Sequence, residues 1–314
     1  MNDKIIEVDK MSKYFGEIKA VDQMDFYVKE GEILGFLGPN GSGKTTTVRL
    51  LNGVLFPEKG NIKVKDLSTI NDGNKIRKIT GVLTESAALY ESMSARENLE
   101  FFAHLYNINP REIPKRVDSL LEEFGLSKRQ KNKVAEFSTG MKKKLSIARA
   151  LIDDPEILFL DEPTTSLDPE SARDLISYIK KLNRERKLTI FVCTHNLAQA
   201  EDFCKRFIFL DKGRIIEEGT LGEIEKKYIT SVEMEIVYQG GIDDTYLNDY
   251  KYKKVDSDKI IITIDNKKQV PQFIREISQK TDIYSINTLN STLEKLYFEV
   301  RRVYYENAGN GSNN

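Results

Sequence analysis

The stretch Gly38-Pro39-Asn40-Gly41-Ser42-Gly43-Lys44-Thr45-Thr46 fits G-x-x-x-x-G-K-[ST], and it stands between the apolar run EILGFL and the helical segment TVRLLNG. No other feature limits the fold as much, because a loop of this kind joins a buried strand to the start of a helix. The residue types follow from the chemistry. Glycines let the backbone close around phosphate oxygens, while successive N–H groups and the helix N-terminus supply partial positive charge. Lys44 adds a full charge, and Thr45 offers a hydroxyl to Mg²⁺. A plain glycine turn needs neither the lysine nor the hydroxyl. The loop therefore points to a nucleoside triphosphate with Mg²⁺, held by residues 38 to 46.

The rest of the chain supports a sheet for that loop to leave from. Up to about residue 220, short apolar runs alternate with patterns of helical period, the mark of an α/β fold with a parallel sheet covered by helices. The clearest strands are residues 32–37, 79–84, 156–161, 188–194 and 206–211; residues 44–52, 95–106, 115–124, 140–152 and 169–186 read as helices. After Gly222 the texture changes. A short helix, alternating strands at 232–238 and 259–264, a helix at 270–280 and a strand near 283–287 indicate a separate small α+β domain over 223–304. Ser291-Thr292-Leu293-Glu294 has the form of a capping box opening a last helix, and 305–314 reads as a flexible tail. A length of 314 residues accommodates these two domains.

Composition removes several classes of function. Lys plus Arg number 48 against 49 Asp plus Glu, a net charge of −1, so no overall field draws the chain to nucleic acid or anionic lipid. Cys193 and Cys204 make neither a disulfide framework nor a structural zinc site, and suit a reducing compartment. The opening MNDKIIEVDK lacks an apolar signal core, which leaves Met1 as the expected start of the mature chain. The longest apolar runs fall far short of the roughly 20 residues that cross a bilayer. Any action at a membrane then requires another chain to span it, with this one expected in the cytoplasm at the inner face.

A second carboxylate-bearing element completes a phosphate site. Ile157-Leu158-Phe159-Leu160-Asp161-Glu162 is a buried strand ending in two acids, the form of a Walker B element. Neighbours on a strand face opposite ways, so Asp161 and Glu162 are expected to do different work. Asp161 is placed to hold Mg²⁺, and Glu162 to act as general base on a water at the γ-phosphate.

The segment just before it chooses among P-loop proteins. Phe137-Ser138-Thr139-Gly140-Met141-Lys142-Lys143-Lys144-Leu145-Ser146 closely resembles the signature of ATP-binding cassette (ABC) proteins, and physically it is a second anion site: Ser138 as N-cap ahead of the N–H groups of a helix start. Pro163-Thr164-Thr165-Ser166-Leu167-Asp168 resembles the D-loop of that family, and His195 after TIFVCT resembles its switch histidine. The order of the elements matches, and the resemblance covers residues 1 to about 222.

The resemblance implies a RecA-like core with a β subdomain and a helical subdomain, and ATP as the nucleotide. It makes Glu162, His195 and Lys44 the catalytic set and puts Phe15, in Lys13-Tyr14-Phe15-Gly16, in the place of the aromatic that stacks on adenine. Thr45, Asp161 and Glu85 become the Mg²⁺ residues. Ser138, Thr139, Gly140 and Met141 then act on ATP bound by a second subunit, with Asp168 in the D-loop between them. One element departs, and Thr139 for a second glycine and Met141 for glutamine are milder departures in the signature. Glu85, in Gly81-Val82-Leu83-Thr84-Glu85, stands where the family usually has glutamine, keeping an oxygen and adding a charge.

Only one cassette is present, so the implied unit is a homodimer, or a pair of cassettes, docked on transmembrane permease chains near residues 85–94, with Leu89, Tyr90 and Met93 in the groove. Asn290-Ser291-Thr292-Leu293-Glu294-Lys295-Leu296-Tyr297-Phe298 resembles the ending found in ATPases of ABC-2-type exporters of drugs, peptide antibiotics, lipids or ions. Export is the expected direction and an ABC-2-type permease the expected partner. The alternatives are a soluble ABC ATPase outside transport and a regulatory ATP-binding subunit; intact Lys44, Asp161, Glu162 and His195 argue against the second.

Overall fold

A computed structural model describes residues 3–84, 89–242, 244–289 and 291–310. The chain divides into two compact units, Met1–Gly219 and Thr220–Asn314. The division falls where a strand ends at Thr220 and that residue's hydroxyl caps the next helix, with Glu223 closing a capping box.

The first unit is built on a six-stranded sheet in the order Arg214–Thr220, Arg206–Asp211, Ile33–Leu37, Thr189–Thr194, Ile157–Asp161, Thr80–Leu83. The last five strands of that order pair in parallel. Ile33–Leu37, Ile157–Asp161 and Thr189–Thr194 are buried at every position, which is why they read as unbroken apolar runs rather than as alternation. The edge pair turns back through Lys212 and Gly213, both at positive φ (45° and 78°), the two-residue turn whose twist matches a hairpin.

A second, four-stranded sheet lies against the first, in the order Ile18–Lys29, Lys4–Phe15, Lys59–Val64, Leu67–Ser68. Its two long strands escaped the sequence reading because bulges break their period: the Lys4–Phe15 ladder shifts register four times against its neighbour, and no single alternation survives. Phe26 of this sheet meets Phe36 of the six-stranded sheet at 5.5 Å between ring centroids, and Phe191 stands 4.9 Å from Phe36 and 5.5 Å from Phe159. Such aromatic pairs add about 0.5–1.5 kcal/mol each beyond their buried area, so this cluster joins the sheets. A helical part, Ala95–Leu105, Ile113–Glu123 and Thr139–Ala150, follows the strand Thr80–Leu83.

The second unit has βαββαβ order: Val232–Gln239, Asp244–Leu247, Lys251–Asp256, Lys259–Ile264, Val270–Ile277, Asp282–Leu289. Its sheet runs Lys251–Asp256, Lys259–Ile264, Val232–Gln239, Asp282–Leu289 with every neighbour antiparallel, the split arrangement of ferredoxin-like domains. Alternate residues Met234, Ile236, Ile260, Ile262 and Ile264 bury one face against Phe273, Ile277 and Leu247. The helices Leu221–Tyr228 and Leu293–Asn310 flank this core in sequence.

One expectation fails at the last helix. The hydroxyl that caps it belongs to Thr292, which accepts from the Lys295 amide at 3.2 Å. Ser291 is one residue too early, so Glu294 falls short of the position from which a box closes. The helix continues to Asn310. Arg302 explains the extension: it pairs with Glu299 and, one turn on, with Glu306, spacings that stabilise a helix.

Candidate nucleotide site

The loop at 38–46 leaves the buried strand Ile33–Leu37 and enters the helix Lys44–Leu51. Two glycines are required by space. A Cβ on Gly38 would stand 2.6 Å from the Leu210 carbonyl, and one on Gly43, at φ 100°, 2.4 Å from that of Ala20. Lys44 is buried, and its Nζ donates to the carbonyls of Gly38 (2.7 Å) and Pro39 (3.1 Å). Those bonds fold the lysine back over its own loop, where its charge covers the concave side. Ser42 Oγ is buried and has no hydrogen-bond partner, the state of a group that a phosphate oxygen satisfies.

A cavity of about 540 Å³ opens beside this loop, lined by Asn40, Gly41, Gly43, Lys44, Thr45 and Thr46 and by Phe15, Asp161, Glu162 and His195. The structure thus gathers residues that the sequence scatters between positions 15 and 195. Thr45 Oγ1 donates to Asp161 Oδ2 at 2.8 Å. Two hard oxygens side by side, beside a phosphate cradle, are donors of the type that a hard divalent cation takes. Glu85 lies outside the described residues.

Alternation does not separate the two acids. The strand ends at Asp161, and Glu162 takes the left-handed conformation at φ 49°, rare for a residue with a side chain. That kink brings the second carboxylate to the same cavity as the first. Four donors hold it there: Thr194 Oγ1 at 2.9 Å and Thr165 Oγ1 at 3.3 Å on one oxygen, the His195 amide at 3.1 Å and His195 Nδ1 at 2.7 Å on the other. Lys44 Nζ stands 3.9 Å away. An aligned carboxylate beside a half-exposed imidazole can accept a proton from water and pass it on. Cys193 and Cys204 are both buried, and burial pushes their thiols well above the usual thiol range.

Ser138 caps the helix Thr139–Ala150 and accepts from the Met141 amide at 3.3 Å. Gly140 is small because a Cβ there would come within 3.2 Å of Ser171 Oγ. Asp168 caps the next helix, accepting from the amides of Ser171 (2.9 Å) and Glu170 (3.1 Å), and the Ser171 amide chiefly holds its carboxyl below the usual range. None of Ser138, Thr139, Gly140 and Met141 lines the cavity of Lys44. Thr139 instead borders a second cavity of about 840 Å³, which shares Thr45 and Asp161 with the first. Two of the three lysines after Met141 are engaged. Lys143 is only 6% exposed and lines that second cavity, while Lys142 pairs with Glu91 at 2.6 Å.

Phe15 is 47% exposed and borders the cavity, whereas Tyr14 does not. Ile18, Lys19 and Lys212 border it as well. Sequence reasoning missed these three: a two-residue Lys-Gly turn between strands is legible, but not that it packs on the carbonyls of Lys19 and Ala20.

Known proteins resemble this chain in sequence and in fold. A family model described as "ABC transporter" matches residues 21–165. The daunorubicin resistance ATP-binding protein DrrA3 of Streptomyces coeruleorubidus is 39% identical over 72% of this chain and 71% of its own. The bacitracin transport ATP-binding protein BcrA of Bacillus licheniformis is 36% identical over 74% and 75%. An uncharacterized ABC transporter ATP-binding protein of Bacillus subtilis, YhcH, is 32% identical over 94% and 95%, which takes in the second unit. Among solved structures, cbiO1 of Clostridium perfringens, part of the ABC transporter complex cbiONQ, superposes with a TM-score of 0.67 at 28% identity, covering 72% of this chain and 92% of that one. The dimeric cassette MJ0796 bound to ADP and Pi gives 0.62 at 28%, covering 68% and 98%.

Proposed function

The chain belongs to the ABC transporter family of ATP-binding subunits, and from that premise we propose that it drives an ABC-2-type exporter of a drug or peptide antibiotic by closing as a dimer around ATP. The observation that carries the reading is a half-site: phosphate loop, metal oxygens, base and histidine meet at one cavity, while the signature helix of the same chain is absent from its walls. A second chain placed head to tail supplies it.

In this reading the work divides as follows. Phe15 offers its ring to adenine. The backbone of residues 38–46 and Lys44 bind the phosphates. Thr45 and Asp161 would hold Mg²⁺, with Glu85 as a further oxygen, and the bound ion would supply positive charge against the phosphate oxygens. Glu162 takes the proton from the attacking water, its position fixed by Thr165 and Thr194. His195 links Glu162 to the γ-phosphate and reports whether that group is attached. Ser138, Thr139, Gly140 and Met141 of the opposite chain present a helix N-terminus to the same phosphate, with Asp168 holding the neighbouring turn. Several charge-assisted bonds at about 1.5–3 kcal/mol each suffice to shift such an interface between closed and open.

No helix among the described residues is long and apolar enough to cross a membrane, and transport then rests on permease chains at whose cytoplasmic face this subunit sits. Tyr90 (46% exposed) and Leu105 (61%) present apolar surface on the helical part, with the Tyr90 ring 4.9 Å from that of Phe101; a permease helix docks there. The second unit serves as an accessory, dimerising domain. Tagged Glu162→Gln chain, isolated from native membranes in ATP, is expected to bring a polytopic permease with it and no extracytoplasmic solute-binding protein. Recovery only in the soluble fraction, with ribosomes, DNA or nothing, overturns the transport reading.

A further inference from the structure

Resting on the reading of Phe15 as the adenine platform, we propose that Glu58 is the positioning residue of that platform. Its carboxylate ties Lys13 and the Tyr14 backbone together and so fixes the Phe15 ring at the mouth of the nucleotide cavity.

The need for such a tie comes from the sheet. The strand carrying Phe15 shifts register against its hairpin partner between Met11 and Lys13 and again between Lys13 and Tyr14. On its other side, pairing ends at Ser12 opposite Lys59. Bulges re-aim side chains but leave backbone groups unpaired, and beyond Ser12 the strand Lys59–Val64 no longer pairs with the hairpin that turns at Gly16, φ 59°. Glu58 stands one residue before Lys59, at the place where the ladder stops. Its amide donates to the Ser12 carbonyl at 2.9 Å, continuing the ladder by one bond. One carboxylate oxygen accepts from the Tyr14 amide at 2.9 Å and the other from Lys13 Nζ at 2.7 Å. That ammonium lies 5.5 Å from the centroid of the Phe15 ring, within cation–π range. A single carboxylate thus holds the two residues before the platform, one by its backbone and one by its side chain. The Lys13 bond, first among its surroundings, also keeps Glu58 below the usual carboxyl range, so the tie stays charged at neutral pH.

The sign of the effect separates positioning from bulk electrostatics. Removing a carboxylate near a triphosphate strengthens binding if charge alone matters; removing a brace weakens it. In full-length chain, with hydrolysis read as phosphate release, Glu58→Gln is expected to raise KM for ATP about three- to fivefold with kcat within about twofold. Lys13→Gln cuts the same tie from the other end and is expected to match it. Phe15→Ala is expected to raise KM roughly tenfold, the worth of one stacked base, and Glu58→Gln added to it to change nothing further. Inorganic tripolyphosphate, which has no base, should inhibit the wild type and all four variants equally.

If Phe15→Ala leaves KM unchanged, the stacking reading fails and the proposal with it. If Phe15→Ala raises KM while Glu58→Gln does not, or the two effects multiply, the platform stands and Glu58 is overturned. A tripolyphosphate inhibition constant that rises with KM in Glu58→Gln also overturns it, by placing the effect at the phosphates.

Discussion

Replacing Glu162 with glutamine is expected to lower the turnover of ATP about 10²- to 10⁴-fold, the usual worth of a positioned base and equal to about 3–5 kcal/mol of barrier. The amide keeps the shape of the side chain but only one acceptor oxygen, so it retains the donors on one side, Thr194 at 2.9 Å, or on the other, the His195 amide at 3.1 Å, and not both. It cannot take a proton from water. Binding should survive, because a buried negative charge 3.9 Å from Lys44 has been removed and nothing that touches phosphate is lost. Single-turnover phosphate release and a nucleotide titration on the same protein check both halves. Unchanged turnover would move the base to another residue.

Lys44→Met is expected to act on the other half of the cycle. In the native chain the buried ammonium sits against the Gly38 and Pro39 carbonyls with Glu162 as its only ion-pair partner among the described residues. Methionine fills similar space but brings no charge to the phosphates, and it leaves the Glu162 carboxylate without its cation. Two charged hydrogen bonds at about 1.5–3 kcal/mol each correspond to a loss of affinity of roughly 10² or more. Calorimetric titration with ATP checks this, with an unchanged thermal midpoint showing that the loop still folds. Affinity near that of the wild type would mean that phosphate does not lie in the 38–46 cradle.

The parallel strands and the helices between them were legible because burial on both faces makes continuous apolar runs, and amphipathic helices keep one period. The hairpin at Lys4–Lys29 was not, since register shifts destroy the alternation by which a strand is recognised. Motifs located Lys44, Asp161, Glu162 and His195 one by one, and only the fold showed them at one cavity. The strand rule misled at Glu162, where a left-handed residue ends the alternation. Lys143 was beyond reach because a charged side chain reads as solvated until the packing around it is seen, and Glu58, which stays exposed, because its tie to Lys13 and Tyr14 depends on where the ladder ends.

The head-to-tail dimer is tested most directly by mixing two inactive chains. Lys44→Met removes the lysine's charge from the phosphate loop and leaves the signature helix intact; Ser138→Arg blocks the signature and leaves the loop intact. Each alone is expected to be nearly inactive. If every site takes its loop from one chain and its signature from the other, an equal mixture regains up to about a quarter of the wild-type rate, since half the dimers are mixed and each holds one sound site. A mixture as inactive as its components would place the whole site within a single chain and contradict the account.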